Sequence, residues 1–222
     1  MITLVYAYYN NGKMLDLQLQ EWSKYQDKDK WQAIIVDDGS QRDPAIDHLI
    51  DVGFPISLYR IKNDIPWNMD GARNLAMTHA SGWCLLCDMD HVLTADKAKE
   101  LQGLALNAGR AYKFQRRLTN GTKINQGANI WIMHADLFWK IGGYDERYAG
   151  YYGSDLYFKK SADAVAGKPI ELDIELTVYM PAQVKDASTT DYGRLNSKHD
   201  LRKLKKELAP VPQLNFEWER LA

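Results

Sequence analysis

The chain has 222 residues, 45% hydrophobic and 26% charged, proportions that exclude wholesale disorder and allow one domain with a sizeable core. Its 28 basic and 29 acidic residues give a formal net charge of -1, which argues against a surface built throughout to coat nucleic acid or an anionic membrane. Two cysteines exclude a disulfide scaffold. No apolar run approaches the roughly 20 residues of a membrane span, and the first residues lack the basic region and cleavage site of a signal peptide, so a cytoplasmic location is expected.

Ile2–Tyr8 is β-branched and aromatic and reads as a first strand. Leu15, Leu19 and Trp22 share one face of a helix over residues 14–25. Trp31–Asp37 is a short apolar run, as in a strand buried on both faces. Asp43 and Pro44 have the form of an N-cap and first helical residue, opening a helix over 45–51. A third strand over 55–61, a helix over 71–80 that ends near Gly82, a fourth strand over 83–88 and a helix over 95–107 follow. Strands alternating with helices imply an α/β, mainly parallel sheet flanked by helices.

The second half changes character. Segments 112–118 and 123–132 flank the turn dipeptide Asn120-Gly121. A short helix over Ala135–Ile141 ends at two glycines, a second over 153–166 ends at Gly167, and residues 170–179 alternate as a strand does. Residues 181–196 lack periodicity and read as a mobile loop. A basic helix over 195–208 places Leu201, Leu204 and Leu208 inward. The whole reads as a single domain over 1–222, and nothing in the pattern sets an oligomeric state.

The strongest chemical signal is CDMDH at 87–91. Asp88 and Asp90, one residue apart at a strand's carboxyl end, repel unless a cation joins them, and Mn²⁺ or Mg²⁺ bridging to a phosphate suits that role. An isolated D-x-D is also common in acidic turns. Asp38, in VDDGS at 36–40, can accept a hydrogen bond from a base N–H such as that of uracil. Tyr8 and Tyr9, at the end of the first strand, offer a stacking face or two core rings. Arg73, near a helix start, pairs a guanidinium with the helix dipole, which suits a pyrophosphate. Trp67 stands in the loop before that helix as a candidate sugar platform. Cys84 and Cys87 have C-x-x-C spacing, but three residues apart on a strand they point to opposite faces and read as buried apolar groups. His91 and His134 read as packed or supporting side chains.

YAYYN, IIVDDGS, WNMDGARN and CDMDH together resemble the nucleotide-sugar-binding half of GT-A fold glycosyltransferases of the family 2 type. IGGYDERYAGYYGSDLYF at 141–158 is similar to the GGF…GWGGED segment of β-1,4-galactosyltransferase-type enzymes. The resemblance implies a GT-A mixed sheet with a smaller acceptor-side subregion: a nucleotide-sugar half over 1–107, an acceptor and catalytic half over 108–180, then loop and basic helix over 181–222. It implies an inverting transfer from a UDP-sugar to an acceptor hydroxyl. Tyr9 would stack on the uracil, with Tyr8 beside it, and Asp38 would bind N3–H. Arg73 would sit near the diphosphate or the donor sugar, and Trp67 and Met89 would line the donor site. Asp88 would face the ribose or the metal, and Asp90 would ligate the metal directly. Asp155 matches the catalytic base. Ser154 stands where that segment carries a glutamate, Tyr151 where it carries an acceptor-stacking tryptophan, and Tyr152 where it carries a glycine. These residues would contact the acceptor, which is a glycan, a lipid-linked sugar, a protein side chain or a modified nucleobase. His199, three residues after Asn196, has the spacing of a loop metal ligand in the galactosyltransferase type. A nucleotidyltransferase and a non-catalytic relic that binds sugar or nucleotide are the alternatives; the first needs a glycine-rich basic loop after the first strand.

Overall fold

The computed structural model describes residues 1–125, 127–151, 153–180 and 213–222. Tyr152, His199, the loop over 181–196 and the basic helix over 195–208 lie outside the described residues.

Within these residues a ten-stranded sheet runs in the order β10-β3-β2-β1-β4-β8-β6-β9-β5, with β7 paired to β6. Its parallel centre is built from β1 (Ile2–Tyr8), β2 (Trp31–Asp37), β3 (Ile56–Ile61) and β4 (Trp83–Cys87). The other side is mixed. β8 (Trp131–His134) runs antiparallel to β4 and to β6 (Tyr112–Leu118), and β9 (Ile170–Val178) lies parallel to β6. β5 (His91–Val92), β7 (Lys123–Ile124) and the late strand β10 (Trp218–Arg220) each pair antiparallel with one neighbour. The expected mainly parallel sheet with a smaller second region is thus present.

Helices cover both faces, so the central strands bury side chains in both directions. In β1, Leu4, Tyr6 and Tyr8 enter one core cluster and Val5 the other. In β4, Leu85 and Cys87 enter the first cluster, Cys84 and Leu86 the second. The two free thiols are therefore buried on opposite sides of the sheet. Helix α1 (Gly12–Trp22) packs Met14, Leu15, Leu19 and Trp22 into the first cluster, and α2 (Met69–Thr78) packs Ala72, Leu75 and Ala76 into the second. α3 is Ala95–Gln102, α4 is Ala135–Ile141 and α5 is Asp155–Ala166. No described helix is long and apolar enough to cross a membrane.

Several boundaries differ from the sequence reading. The helix expected over 45–51 is a single 3-10 turn at Ala45–His48. Asp43 does not cap it, because its carboxylate is engaged elsewhere: Oδ2 accepts from Gly12 N at 2.7 Å and Oδ1 meets His48 Nε2 at 2.6 Å. The strand expected over 123–132 breaks into β7 and β8, and Gly127 and Ala128 turn their carbonyls to the Lys113 ammonium at 2.9 and 2.8 Å instead of to a strand. α3 stops at Gln102, with Gly103 as its cap, well short of residue 107. α2 stops at Thr78 with His79 as cap, and Gly82, at φ +67°, turns the chain into β4.

Candidate active site

β2, β1 and β4 lie side by side, and the segments leaving their carboxyl ends open a cavity of about 350 Å³. Tyr8, Tyr9, Asp38, Trp67, Asp88, Met89, Asp90 and Asp155 all line it. Five separate stretches of sequence thus converge on one volume, as expected where parallel strands end.

The segment after β2 divides the work of two adjacent aspartates. Asp37 is fully buried and closes the loop, accepting from Ser40 N at 2.8 Å and from Ala45 N at 2.9 Å. Asp38 faces the cavity. Its Oδ2 accepts from Asn68 N at 3.1 Å, whereas Oδ1 is buried with no partner. Burial pushes this carboxyl well above its usual range, and the opposing hydrogen bonds from Asn68 offset it only in part. Gly39 permits the turn. At φ +75° a Cβ there would meet Asn63 O at 2.7 Å. Beside Asp38, the half-buried Tyr9 donates its hydroxyl to Asp64 at 3.2 Å. Tyr8 is fully buried and donates to Asp43 O at 2.5 Å, so much of it serves the core.

The loop after β4 is clamped through its backbone. Gln18, from α1, donates to Met89 O at 2.9 Å and His91 O at 2.8 Å. Tyr179 N donates to Asp90 O and His91 N to Asp88 O. The side chains are equally constrained. Asp88 Oδ1 pairs with the Arg73 guanidinium and Oδ2 accepts from Asn129 Nδ2 at 3.0 Å. Burial alone would raise the Asp88 carboxyl, but the Arg73 charge, helped by His91 and by the hydrogen bonds from Asn129 and Arg73, outweighs it and holds the group below the usual carboxylate range.

His91 is 3% exposed and stands between Arg116 and Asp90. Arg116 Nε donates to His91 Nε2 at 2.8 Å, which leaves the ring proton on Nδ1, 2.6 Å from Asp90 Oδ1. Ligand atoms of Asp88, Asp90 and His91 lie within 4.8 Å of one another. His91 commits both nitrogens and Asp88 both oxygens. Asp90 Oδ2 is left without a donor among the described residues, in a cavity open to a ligand. A hard divalent ion that takes one carboxylate and fills its remaining positions with phosphate oxygens and water fits this donor set.

Asp155 lies across the cavity, half-buried in the first turn of α5. Burial, followed by the Asp88 charge, raises its carboxyl above the usual range. It also borders a second cavity of about 210 Å³, lined by Trp67, Met69, Asn129, Gly153 and Leu156. The carboxylate therefore stands where two volumes meet. An acid with an elevated titration, open to two adjoining spaces, is equipped to take a proton from a group in one as that group attacks a group in the other.

Some expected site residues stand elsewhere. Arg73 has no exposure and does not line the cavity. It lies behind Asp88, donating to it and to Tyr144 OH at 3.2 Å, because Tyr144 and the α2 packing leave it no route outward. Ser154 is 2% exposed, beneath the surface, and Tyr151 borders neither cavity. The wall of the second cavity is instead Met69, Gly153 and Leu156 with Trp67. Gln18, Lys113, Arg116 and Asn129 escaped the sequence reading, because no local motif marks them and their roles arise from contacts distant in the chain.

The sequence profile of glycosyl transferase family 2 matches residues 3–158. The chain belongs to that family. The match runs from β1 to the first turn of α5 and includes every acid that lines the cavity. No curated protein sequence matches the chain. Among solved structures, a mannosyltransferase from Pyrobaculum calidifontis, in complex with GDP-Man and Mn²⁺, superposes with a TM-score of 0.64 at 16% identity, over 95% of this chain and 66% of its own. S. aureus TarS 1-349 in complex with UDP-GlcNAc superposes with a TM-score of 0.62 at 14% identity, over 84% and 61%. The catalytic domain of Drosophila β1,4-galactosyltransferase 7, with xylobiose, gives 0.54 at 11% identity, over 78% and 64%. This family 2 chain thus spans under two thirds of the length of these structures, and at such identities the likeness shows the shared GT-A fold.

Proposed function

We propose that this family 2 chain is an inverting, divalent-metal-dependent glycosyltransferase that moves a sugar from a nucleotide-sugar, a UDP-sugar first among them, to an acceptor hydroxyl. One observation carries the proposal: acids that follow β2 and β4 and the acid that opens α5 converge on one cavity, and Asp155 stands where it meets a second. The solved GT-A structures that bind UDP-GlcNAc, or GDP-Man with Mn²⁺, support the donor class.

In this reading Tyr9 stacks on the base and the unpartnered Asp38 Oδ1 accepts its N–H. Asp90 would hold the cation, with Asp88 kept in place by Arg73 and Asn129. When bound, the cation neutralises the charge that develops on the leaving diphosphate. The acceptor sits in the second cavity against Trp67, Met69 and Leu156, and Asp155 removes its hydroxyl proton as the oxygen attacks the anomeric carbon. One displacement breaks the sugar–phosphate bond, forms the new glycosidic bond and inverts the carbon. The acidic segment 141–158 plays the acceptor-side part seen in the galactosyltransferase type. His199 as a further metal ligand, with Tyr151, Tyr152 and Ser154 on the acceptor side, belongs to the same proposal. So does a cytoplasmic location, which two buried free thiols suit.

The first strand argues against a nucleotidyltransferase. At the start of α1 the Gly12 amide is bonded to Asp43 and the Met14 amide to Asn11, so two of the donors that a phosphate cradle would use are already engaged. The relic reading rests on Ser154 alone and is separated by experiment. Purified protein should release nucleoside diphosphate from a nucleotide-sugar in the presence of Mn²⁺. Asp155→Asn should abolish that release by about 10²–10⁴-fold while keeping the thermal stabilisation that the donor confers. Full activity in Asp155→Asn, or no thermal response to any nucleotide-sugar with or without Mn²⁺, defeats the proposal.

A further inference from the structure

The cavity poses a charge problem. Asp38, Asp88, Asp90 and Asp155 line it, and a diphosphate would add further negative charge. Arg73, the cation expected to meet the phosphates, is buried behind Asp88 and spends its charge there. Among the described lining residues one Lys or Arg side chain remains, Arg116 of β6.

Arg116 is held in place before any ligand arrives. Its Nε donates to His91 Nε2 at 2.8 Å and its Nη1 to Asn125 O at 2.8 Å. Gly127 gives it room, since a Cβ there would lie 3.2 Å from Nη1. No described group accepts from Nη2. The guanidinium thus has two fixed sides and one donor left, and it stands one imidazole away from Asp90. A fixed cation with spare donors beside the carboxylate that would hold a divalent ion suits an anion bridging the two.

We propose that Arg116 is a binding residue for the diphosphate of the donor and of the leaving nucleotide, a role that rests on the glycosyltransferase reading above. It acts twice on the same group. The guanidinium meets the phosphates through Nη2, and through His91 it fixes the orientation of Asp90. A residue on the strand β6, on the far side of the cavity from the base, thereby completes a site that the motifs after β1, β2 and β4 leave short of positive charge.

The test is calorimetric titration, with Mn²⁺, of whichever of UDP and GDP binds the wild-type protein better, together with its monophosphate and its nucleoside. A charge-assisted hydrogen bond to phosphate predicts that Arg116→Gln loses tenfold or more in diphosphate affinity. The monophosphate should lose less, and the nucleoside should be unchanged. Arg116→Lys, which keeps the charge but lacks the fork that reaches His91, should fall between wild type and Arg116→Gln. Unchanged diphosphate affinity in Arg116→Gln overturns the inference and leaves the glycosyltransferase reading standing. An equal loss of nucleoside affinity also overturns it, by showing a general collapse of the pocket. A wild-type protein that binds neither diphosphate removes both.

Discussion

Arg73→Met tests whether the buried guanidinium acts as a charge or merely fills space. Arg73 is fully buried, pairs with Asp88, donates to Tyr144 OH and lies 5.3 Å from the Tyr144 ring centroid. Removing one partner of a buried pair costs about 3–5 kcal/mol, because the other charge is left uncompensated. Asp88 keeps 29% of its side chain exposed to the cavity, so the low end, about 3 kcal/mol, is the appropriate figure. At about 2–4 °C per kcal/mol for a chain of this size, melting falls by about 6–12 °C. The pH dependence separates the two explanations. In the wild type the Asp88 carboxyl titrates below its ordinary value. Its stabilisation is complete above the unfolded value of about 3.9 and is lost as pH falls through the lower folded value. Without Arg73, burial and the Asp155 charge raise the folded value instead, so the ionised carboxylate destabilises at neutral pH and that penalty fades on acidification. The melting deficit of Arg73→Met, followed by circular dichroism, should therefore shrink from pH 8 toward pH 5, and Asp88→Asn added to it should recover part of the loss at pH 8. A deficit of equal size at both pH values would falsify the electrostatic account.

Three further outcomes follow from named contacts. The rate of donor turnover should rise with pH through the elevated titration of Asp155, since only the ionised carboxylate accepts a proton; a rate that is flat from pH 4.5 to 8 contradicts its role as base. Asp38→Asn exchanges a carboxylate oxygen at the unpartnered position for a neutral amide, and the thermal stabilisation by UDP should drop by several degrees while that by inorganic diphosphate is kept; equal loss of both would place Asp38 outside the base site. His48 bridges Asp16 at 3.0 Å and Asp43 at 2.6 Å, and these bonds raise its titration against the opposing effect of burial. Its contribution is present below the unfolded value of about 6.5 and disappears as pH rises through the folded value, so the melting gap between wild type and His48→Gln should be widest near pH 5.5 and close toward pH 8.5. A gap that widens with pH would reverse the sign of this argument.

What could be read from the sequence was local or periodic. Continuous apolar runs named β1, β2 and β4 because strands buried on both faces leave no polar alternation to interpret. Asp38, Asp88 and Asp90 could be placed at strand ends from their position alone, and strand ends are where a parallel sheet opens its cleft. Asp155 was placed by resemblance, and its first-turn position on α5 follows the same end-of-element logic. The failures were contacts between distant segments. Arg73 looks like an exposed cation in a helix's first turns, and only Tyr144 and Asp88, 71 and 15 residues away, show it to be interior. Asp43-Pro44 is a genuine helix-start signal, but Gly12 and His48 recruit the aspartate first. Arg116 and Lys113 lie on a strand with no motif, and the residues they support, Asn125, Gly127 and Ala128, were read as strand because nothing local shows where their carbonyls go.

The acids of the cavity are compensated unequally, and the inequality sorts them by role. Asp88 is satisfied by Arg73 and Asn129, so it is a rigid part of the wall whose ionised state is settled without a ligand, and Asp37, fully buried, spends both oxygens on backbone amides that close the loop. Asp38 and Asp155 receive too little compensation for their burial, and both carboxyls titrate high. An undercompensated buried carboxylate is improved by any donor that approaches it. At Asp38 the approaching donor would be a base N–H, which remains as a hydrogen bond; at Asp155 it would be an acceptor O–H, whose proton is then taken. The fold thus leaves electrostatic need at the two points where the proposed ligands bring hydrogen, and removes it from the points that must stay fixed between them.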